Sequence, residues 1–261
     1  NEARDVQNIV DILVDPRGVV EEPGHWVDKA KSLLTGAILH VLYAEPEKTL
    51  ARVGTFLADP DRTFRTTIEI MKRTNHLGTN EAPRVHPIVA TKAREMSNQT
   101  ENELSGVLST ALRFLALYAD PVIAEVTSRS DFRIDDLVSG DRPLSLYLVV
   151  PPSDLSRTKP LMRLILNQVG RRLTEHLDVS PFKVSRSISI VANTLRACGL
   201  LAPQVSVAAP KTRRRVLFML DEFPALGKLD FFESALAYMA GYGLKAFLIA
   251  QSLNQIEKAY G

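Results

Sequence analysis

Five consecutive apolar residues, Val216 to Leu220, run directly into two carboxylates, Asp221 and Glu222, and then into the turn-forming Phe223-Pro224-Ala225-Leu226-Gly227. A continuous apolar run closed by a turn predicts a strand buried on both faces, as in parallel sheets covered by helices. Such strands present functional groups at their carboxyl ends, where open α/β sheets bind ligands. Two adjacent carboxylates there suit a nucleotide-hydrolysing site of the Walker B kind. The first would hold the Mg²⁺ of bound nucleotide, and the second would polarise the attacking water. Taken alone, the run also reads as a strand ending in an acidic turn with no chemistry.

The residues downstream favour the chemical reading. Phe231 to Ala240 reads as a helix with Phe232, Ala235, Leu236 and Met239 on one face. Gly241-Tyr242-Gly243 breaks it, and a second apolar run, Leu244 to Ala250, ends in Gln251-Ser252. Strand, helix and strand of this length predict a right-handed crossover with two parallel strands. That order puts Asp221, Glu222 and Gln251 along one sheet edge, whether or not the strands are immediate neighbours. An amide at that place can sense a γ-phosphate or orient water; a loop hydrogen bond or helix cap is its plainer role.

Three parts are expected: 1–23, 24–128 and 129–261. The first is a helix carrying Val6, Ile9, Val10 and Leu13, followed by the breakers Pro16, Gly18, Pro23 and Gly24. The second is all-helical. Trp26, Ala30, Leu33, Leu34, Ala37, Ile38 and Val41 form an apolar stripe with Trp26 as a core anchor, Pro46 opens the next helix, and Asp59-Pro60-Asp61 starts another. Thr100 and Glu103 predict a capping box, Asp120-Pro121 a stop, and Asn75 to Pro87 an exposed loop. The third part is α/β. It has a short edge element at Asp131–Leu137, a strand over Leu144–Val150 ended by Pro151-Pro152, a helix over Lys159–His176, and then the acidic strand.

Composition narrows the partners. The 261 residues carry a formal net charge of only +2, so bulk electrostatics do not argue for nucleic acid. Any DNA contact would be local or come from a multimer. The basic run Lys211-Thr212-Arg213-Arg214-Arg215 sits at the amino end of the acidic strand and reads as a solvated loop rather than a phosphate contact. Arg157 and Lys159 lie nearer the active edge and read as surface charge. The single cysteine, Cys198, excludes an internal disulfide and fits a reducing compartment. His25, His40, His76, His86 and His176 show no metal-ligand spacing.

The stretch from Leu220 to Gly261, LDEFPALGKLDFFESALAYMAGYGLKAFLIAQSLNQIEKAYG, resembles the corresponding segment of TraG-like type IV secretion coupling proteins. More of the chain agrees: Asn1–Ile9, Trp26–Tyr43, Leu144–Leu155 and Pro160–Ile165 resemble other parts of the same family. The resemblance implies a RecA-like P-loop NTPase fold, a mostly parallel α/β sheet with an inserted all-helical domain at 24–128. It implies a membrane-anchored, hexameric ATPase of the bacterial inner membrane, with this portion on the cytoplasmic side. Such an enzyme brings conjugative DNA and its bound relaxase to the secretion channel. The helical domain could dock relaxosome proteins or DNA. ATP and Mg²⁺ are the implied ligands, with Asp221 on the metal, Glu222 as general base and Gln251 as γ-phosphate sensor.

Departures from the family pattern matter equally. No Gly-x-x-x-x-Gly-Lys-Ser/Thr occurs among the 261 residues, so the loop that cradles phosphates is absent from this span. There is no apolar run of about twenty residues to anchor it in a membrane, and no signal peptide. The expectation is an internal fragment that does not hydrolyse ATP by itself. The turn Met239–Gly243 holds no cation, so no arginine finger is carried over, and Lys245 is too weak a substitute. Residues 178–212 carry no recognised resemblance to the family and are expected to be an insertion. A related DNA translocase shares the sheet without a reason for the helical insertion. A non-enzymatic adaptor with a vestigial acidic strand is the remaining alternative.

Overall fold

A computed structural model describes residues 2–15, 24–175 and 214–260. Pro16, Gly18, Pro23, His176, Cys198, the segment 178–212 and Lys211-Thr212-Arg213 lie outside the described residues.

Seven helices build the first core: α1 (Glu2–Val14), α2 (His25–Ala44), α3 (Leu50–Leu57), α4 (Phe64–Arg73), α5 (Pro87–Ser97), α6 (Glu101–Leu115) and α7 (Pro121–Val126). Their starts follow hydroxyl and carboxylate chemistry. Thr49, Thr63 and Thr100 each accept the backbone N–H three residues on, and Asp120 accepts those of Val122 and Ile123. Pro46 and Asp59–Asp61 therefore do not open helices as expected; the threonines just beyond them do. The capping box at Thr100 and Glu103 is complete in both directions. Asp120-Pro121 ends one helical stretch and also starts the next.

The central helix is α2, packed against α1, α5 and α6, with Ala30, Leu33, Leu34, Ala37, Leu39 and Val41 all buried. Trp26 is not the core anchor its stripe suggested. It is 45% exposed and lays its ring edge over Gly106 of α6, where a Cβ would come within 2.7 Å. The loop before α5 is exposed from Thr79 to Arg84 and partly buried at its two ends, with His76 buried. His76 Nδ1 accepts the His86 N–H at 3.2 Å, which puts its own proton on Nε2. That proton is donated to His40 Nδ1 across 2.9 Å. The His40 ring stacks on Phe56 at 4.5 Å. Two neutral imidazoles thus pin the loop to α2.

The second core is α/β. It joins α8 (Asp136–Ser139), α9 (Leu155–Leu173), α10 (Asp230–Ala235), α11 (Leu253–Tyr260) and two parallel strands, β1 (Val216–Leu220) and β2 (Leu244–Leu248). The strands are immediate neighbours, in register from Val216↔Leu244 to Leu220↔Leu248. α9 serves both cores: Leu164 packs with the helical bundle, while Leu166, Val169 and Leu173 pack with Phe218, Phe231 and Phe232. Gly170 makes that possible, since Phe231 lies where its Cβ would be, 2.2 Å away.

Three expectations change here. β1 is buried on one face only: Phe218 and Leu220 are covered, whereas Leu217 and Met219 are 57% and 65% exposed. Among the described residues no helix covers the second face. Leu144–Val150 forms no strand, because no neighbouring segment among the described residues offers it a ladder of hydrogen bonds, and Tyr147 and Val149 are largely exposed. Asp131–Leu137 is not an edge element; Asp136 accepts the Arg133 N–H and the chain enters the short helix α8. Arg214, from the basic run, is structural. Its backbone N–H donates to Val138, and its guanidinium donates to the carbonyls of Gly140, Asp141 and Arg142.

Burial, the neighbouring His76 and, less strongly, Arg62 hold His40 down at about 4, with Glu45 pulling weakly the other way. As pH falls, the unfolded chain takes up this proton first, near the ordinary value of about 6.5. Stability is therefore held above about 6.5 and lost progressively down to about 4, by on the order of 3 kcal/mol. Urea unfolding at pH 7 and pH 4.5 should show this loss, and His40→Gln should show much less of it. Gly170→Ala should cost about 1–3 kcal/mol by forcing the buried Phe231 ring from its place, read from the same unfolding curves.

Candidate active site

The site grows out of the strand register. Because Leu220 and Leu248 are partners, the chain leaves both strands at the same height. The Ile249 N–H donates to Leu220 O, and the Phe223 N–H donates to Ile249 O, both at 3.0 Å. Asp221 and Glu222 therefore sit directly beside the end of β2, and Gln251 follows three residues after Leu248. Gln251 Nε2 donates to Glu222 Oε1 at 2.8 Å. The Gln251 backbone N–H is held by Gln255 Oε1 of α11 at 3.0 Å.

Glu222 has a left-handed backbone, φ 52° and ψ 41°, and among the described residues it is the sole non-glycine with positive φ. An L-residue there costs about 1–2 kcal/mol, a strain found mainly where the surroundings over-determine the backbone. Three hydrogen bonds do so here: the Ala225 N–H donates to Glu222 O at 2.8 Å, Phe223 is tied to Ile249, and Gln251 holds the side chain. The strain turns the carboxylate along the sheet edge towards the amide. The second oxygen, Oε2, has no hydrogen bond among the described residues, and the side chain is half-buried. Asp221 is exposed and makes no ion pair or hydrogen bond among the described residues.

All three residues singled out from the sequence thus come to one rim. Those that sequence reading missed support the rim from beneath. Arg163 of α9 is buried at 4% exposure and donates to Leu226 O and Lys228 O, in the loop that leaves Glu222. Tyr260 of α11 stacks on Phe223 and bonds the same loop. An arginine at 163 within the apolar face of Leu161, Leu164 and Ile165 was the available signal. Lys159, one turn earlier on α9, is half-buried, and desolvation together with the charge of Arg163 lowers its pKa. Arg157 is committed to Asp120 at 2.7 Å, tying α9 to the start of α7. A cavity of about 610 Å³, lined by Arg4, Arg133, Arg171 and Arg172 among others, lies elsewhere, and none of the three rim residues lines it.

Two parallel strands joined through a helix, with paired carboxylates and an amide at their carboxyl ends, define an α/β fold at the edge where such sheets bind ligands. The structure of the plasmid coupling protein TrwB, in complex with the non-hydrolysable GTP analogue GDPNP, superposes with a TM-score of 0.58 at 16% identity. It covers all of this chain and 49% of that one, which establishes the RecA-like fold.

The family model for type IV secretory system conjugative DNA transfer matches residues 1–181 and 199–261, so the chain belongs to that family and the unmatched stretch is 182–198, shorter than the insertion expected at 178–212. A conjugal transfer protein TraG of Escherichia coli is 39% identical over 268 aligned positions, covering 100% of this chain and 38% of the relative. Protein VirD4 of Agrobacterium fabrum is 29% identical over 235 positions, covering 90% of this chain and 29% of the relative. The chain thus spans about two fifths or less of the length of these relatives.

The backbone strain at Glu222 can be isolated with two substitutions that both remove the carboxylate. Glu222→Gly should be more stable than Glu222→Ala by about 1 kcal/mol, because only glycine adopts this φ freely. Paired denaturation curves check the difference.

Proposed function

We propose that this chain is the part of a conjugative coupling ATPase that carries the water-activating edge of its nucleotide site. The observation behind the proposal is the 2.8 Å bond from Gln251 Nε2 to Glu222 Oε1 at the carboxyl ends of paired parallel strands. The bond uses one oxygen of Glu222 and leaves Oε2 to take the proton of an attacking water. Gln251, itself held through its backbone by Gln255, fixes the rotamer of the base and stands where an amide can reach a terminal phosphate. Asp221 is exposed and uncommitted, which suits a residue that meets Mg²⁺ through water. Bound with the nucleotide, Mg²⁺ would supply neutralisation of the phosphate charge.

Within this reading, 24–128 is a helical insertion into a nucleotide-binding unit made of 1–23 and 129–261. ATP is the substrate. Turnover needs a phosphate-binding loop of the kind these 261 residues do not contain, so we propose that the isolated chain is inactive. For the whole protein, family membership supports delivery of relaxase-bound single-stranded DNA to a type IV secretion channel. It also supports a hexamer at the bacterial inner membrane with this portion on the cytoplasmic side. No helix among the described residues is long and apolar enough to cross a membrane.

In the full-length protein, Glu222→Gln should keep ATP binding, measured with a fluorescent nucleotide, while turnover falls by about 10²-fold or more. Asp221→Asn should instead weaken binding of nucleotide when Mg²⁺ is present. Unchanged turnover in Glu222→Gln would remove the base assignment.

A further inference from the structure

Between Glu222 and α10 the chain makes a single helical turn, Phe223–Leu226, and swings back at Gly227, whose φ of 71° only glycine tolerates easily. Two side chains from distant parts of the sequence grip this loop from different helices. From α9, Arg163 Nη1 donates to Leu226 O at 3.0 Å and to Lys228 O at 2.6 Å. Its Nη2 donates to Asp15 O at 3.4 Å, with the Asp15 carboxylate at 3.5 Å. From α11, the Tyr260 hydroxyl donates to Gly227 O and accepts from the Leu229 N–H, both at 3.3 Å. The Tyr260 ring stacks on Phe223 at 5.3 Å with the planes 16° apart.

A guanidinium is costly to bury, and evenly packed hydrocarbon would serve a core at least as well. Arg163 gives what hydrocarbon cannot: donors for carbonyls that a non-repetitive loop leaves without partners in the interior. It spends them on two carbonyls of the loop and one at the end of α1, so three segments are fixed relative to one another. The loop begins at the strained Glu222, and a left-handed residue stays in place only while its flanks are held. Freed at Leu226–Leu229, the chain can relax at Glu222 and carry the carboxylate away from the Gln251 amide.

We propose that Arg163 and Tyr260 are positioning residues for Glu222, holding the loop 223–229 so that the carboxylate stays seated on Gln251. The proposal rests on the reading of Glu222 as the base.

The test uses the full-length protein with Arg163→Met, Arg163→Lys and Tyr260→Phe, read by amide hydrogen exchange and ATPase kinetics. Exchange at Gly227 and Leu229 should rise about tenfold or more, with α2 and α6 unchanged. KM should stay within about threefold while kcat falls by about tenfold or more in Arg163→Met, the scale expected when a reacting group is misplaced by less than an ångström or so. Arg163→Lys should recover part of that loss. Tyr260→Phe removes a single oxygen and carries the test by itself if Arg163→Met does not fold. Unchanged exchange at Gly227 and Leu229, or full kcat despite a released loop, would overturn the clamp while a dead Glu222→Gln left the base intact. Full turnover in Glu222→Gln would remove the base and, with it, the positioning role.

Discussion

The rim exists because β1 and β2 pair in parallel and in one register. Parallel pairing sends both chains out of the sheet at the same end, and partnership of Leu220 with Leu248 sends them out at the same height. A shift of one residue would reverse which face of β1 is buried, bringing Leu217 and Met219 inside and expelling Phe218 and Leu220. Phe218 packs edge-on against Phe232 at 5.6 Å, so that shift would break the aromatic cluster under the sheet. The same apolar contacts that choose the register therefore choose the partner of Glu222. Site and core are set by one decision.

The order of the elements was readable in the sequence, and their pairing was not. The apolar runs at 216–220 and 244–250, separated by a helical stretch and a glycine break, specify strand, helix and strand. Carboxylates and an amide at the ends then follow from strand direction alone. Adjacency of the strands is a matter of tertiary pairing and could not be read. The segment 144–150 shows the limit from the other side: its pattern suits a buried strand, yet a strand is defined by partners, and the described residues supply none. Trp26 shows that a helical stripe fixes the face but not the depth. Its end of α2 runs past the bundle, so the ring covers Gly106 instead of filling the core.

The residues that hold the site were hidden for a different reason. Arg163, Tyr260 and Arg214 act by donating or accepting hydrogen bonds with backbone groups far away in sequence, at separations of 63, 31 and 74 residues. Backbone carbonyls carry no sequence signature, so such contacts cannot be matched by composition or spacing. What sequence does offer is a mismatch, a charged residue inside an apolar helical face. At 163 that mismatch marks the place where a loop without regular structure meets the core. His40 is the same kind of signal in the helical part, where the group it serves is a loop 36 residues on.

Several of the arginines are spent within the chain itself. Attraction to a polyanion depends on cations free to replace its counterions. Here Arg52, Arg65, Arg157 and Arg172 are paired with carboxylates, and Arg163 and Arg214 are spent on backbone carbonyls. The formal net charge of only +2 over 261 residues adds no bulk field to those that remain.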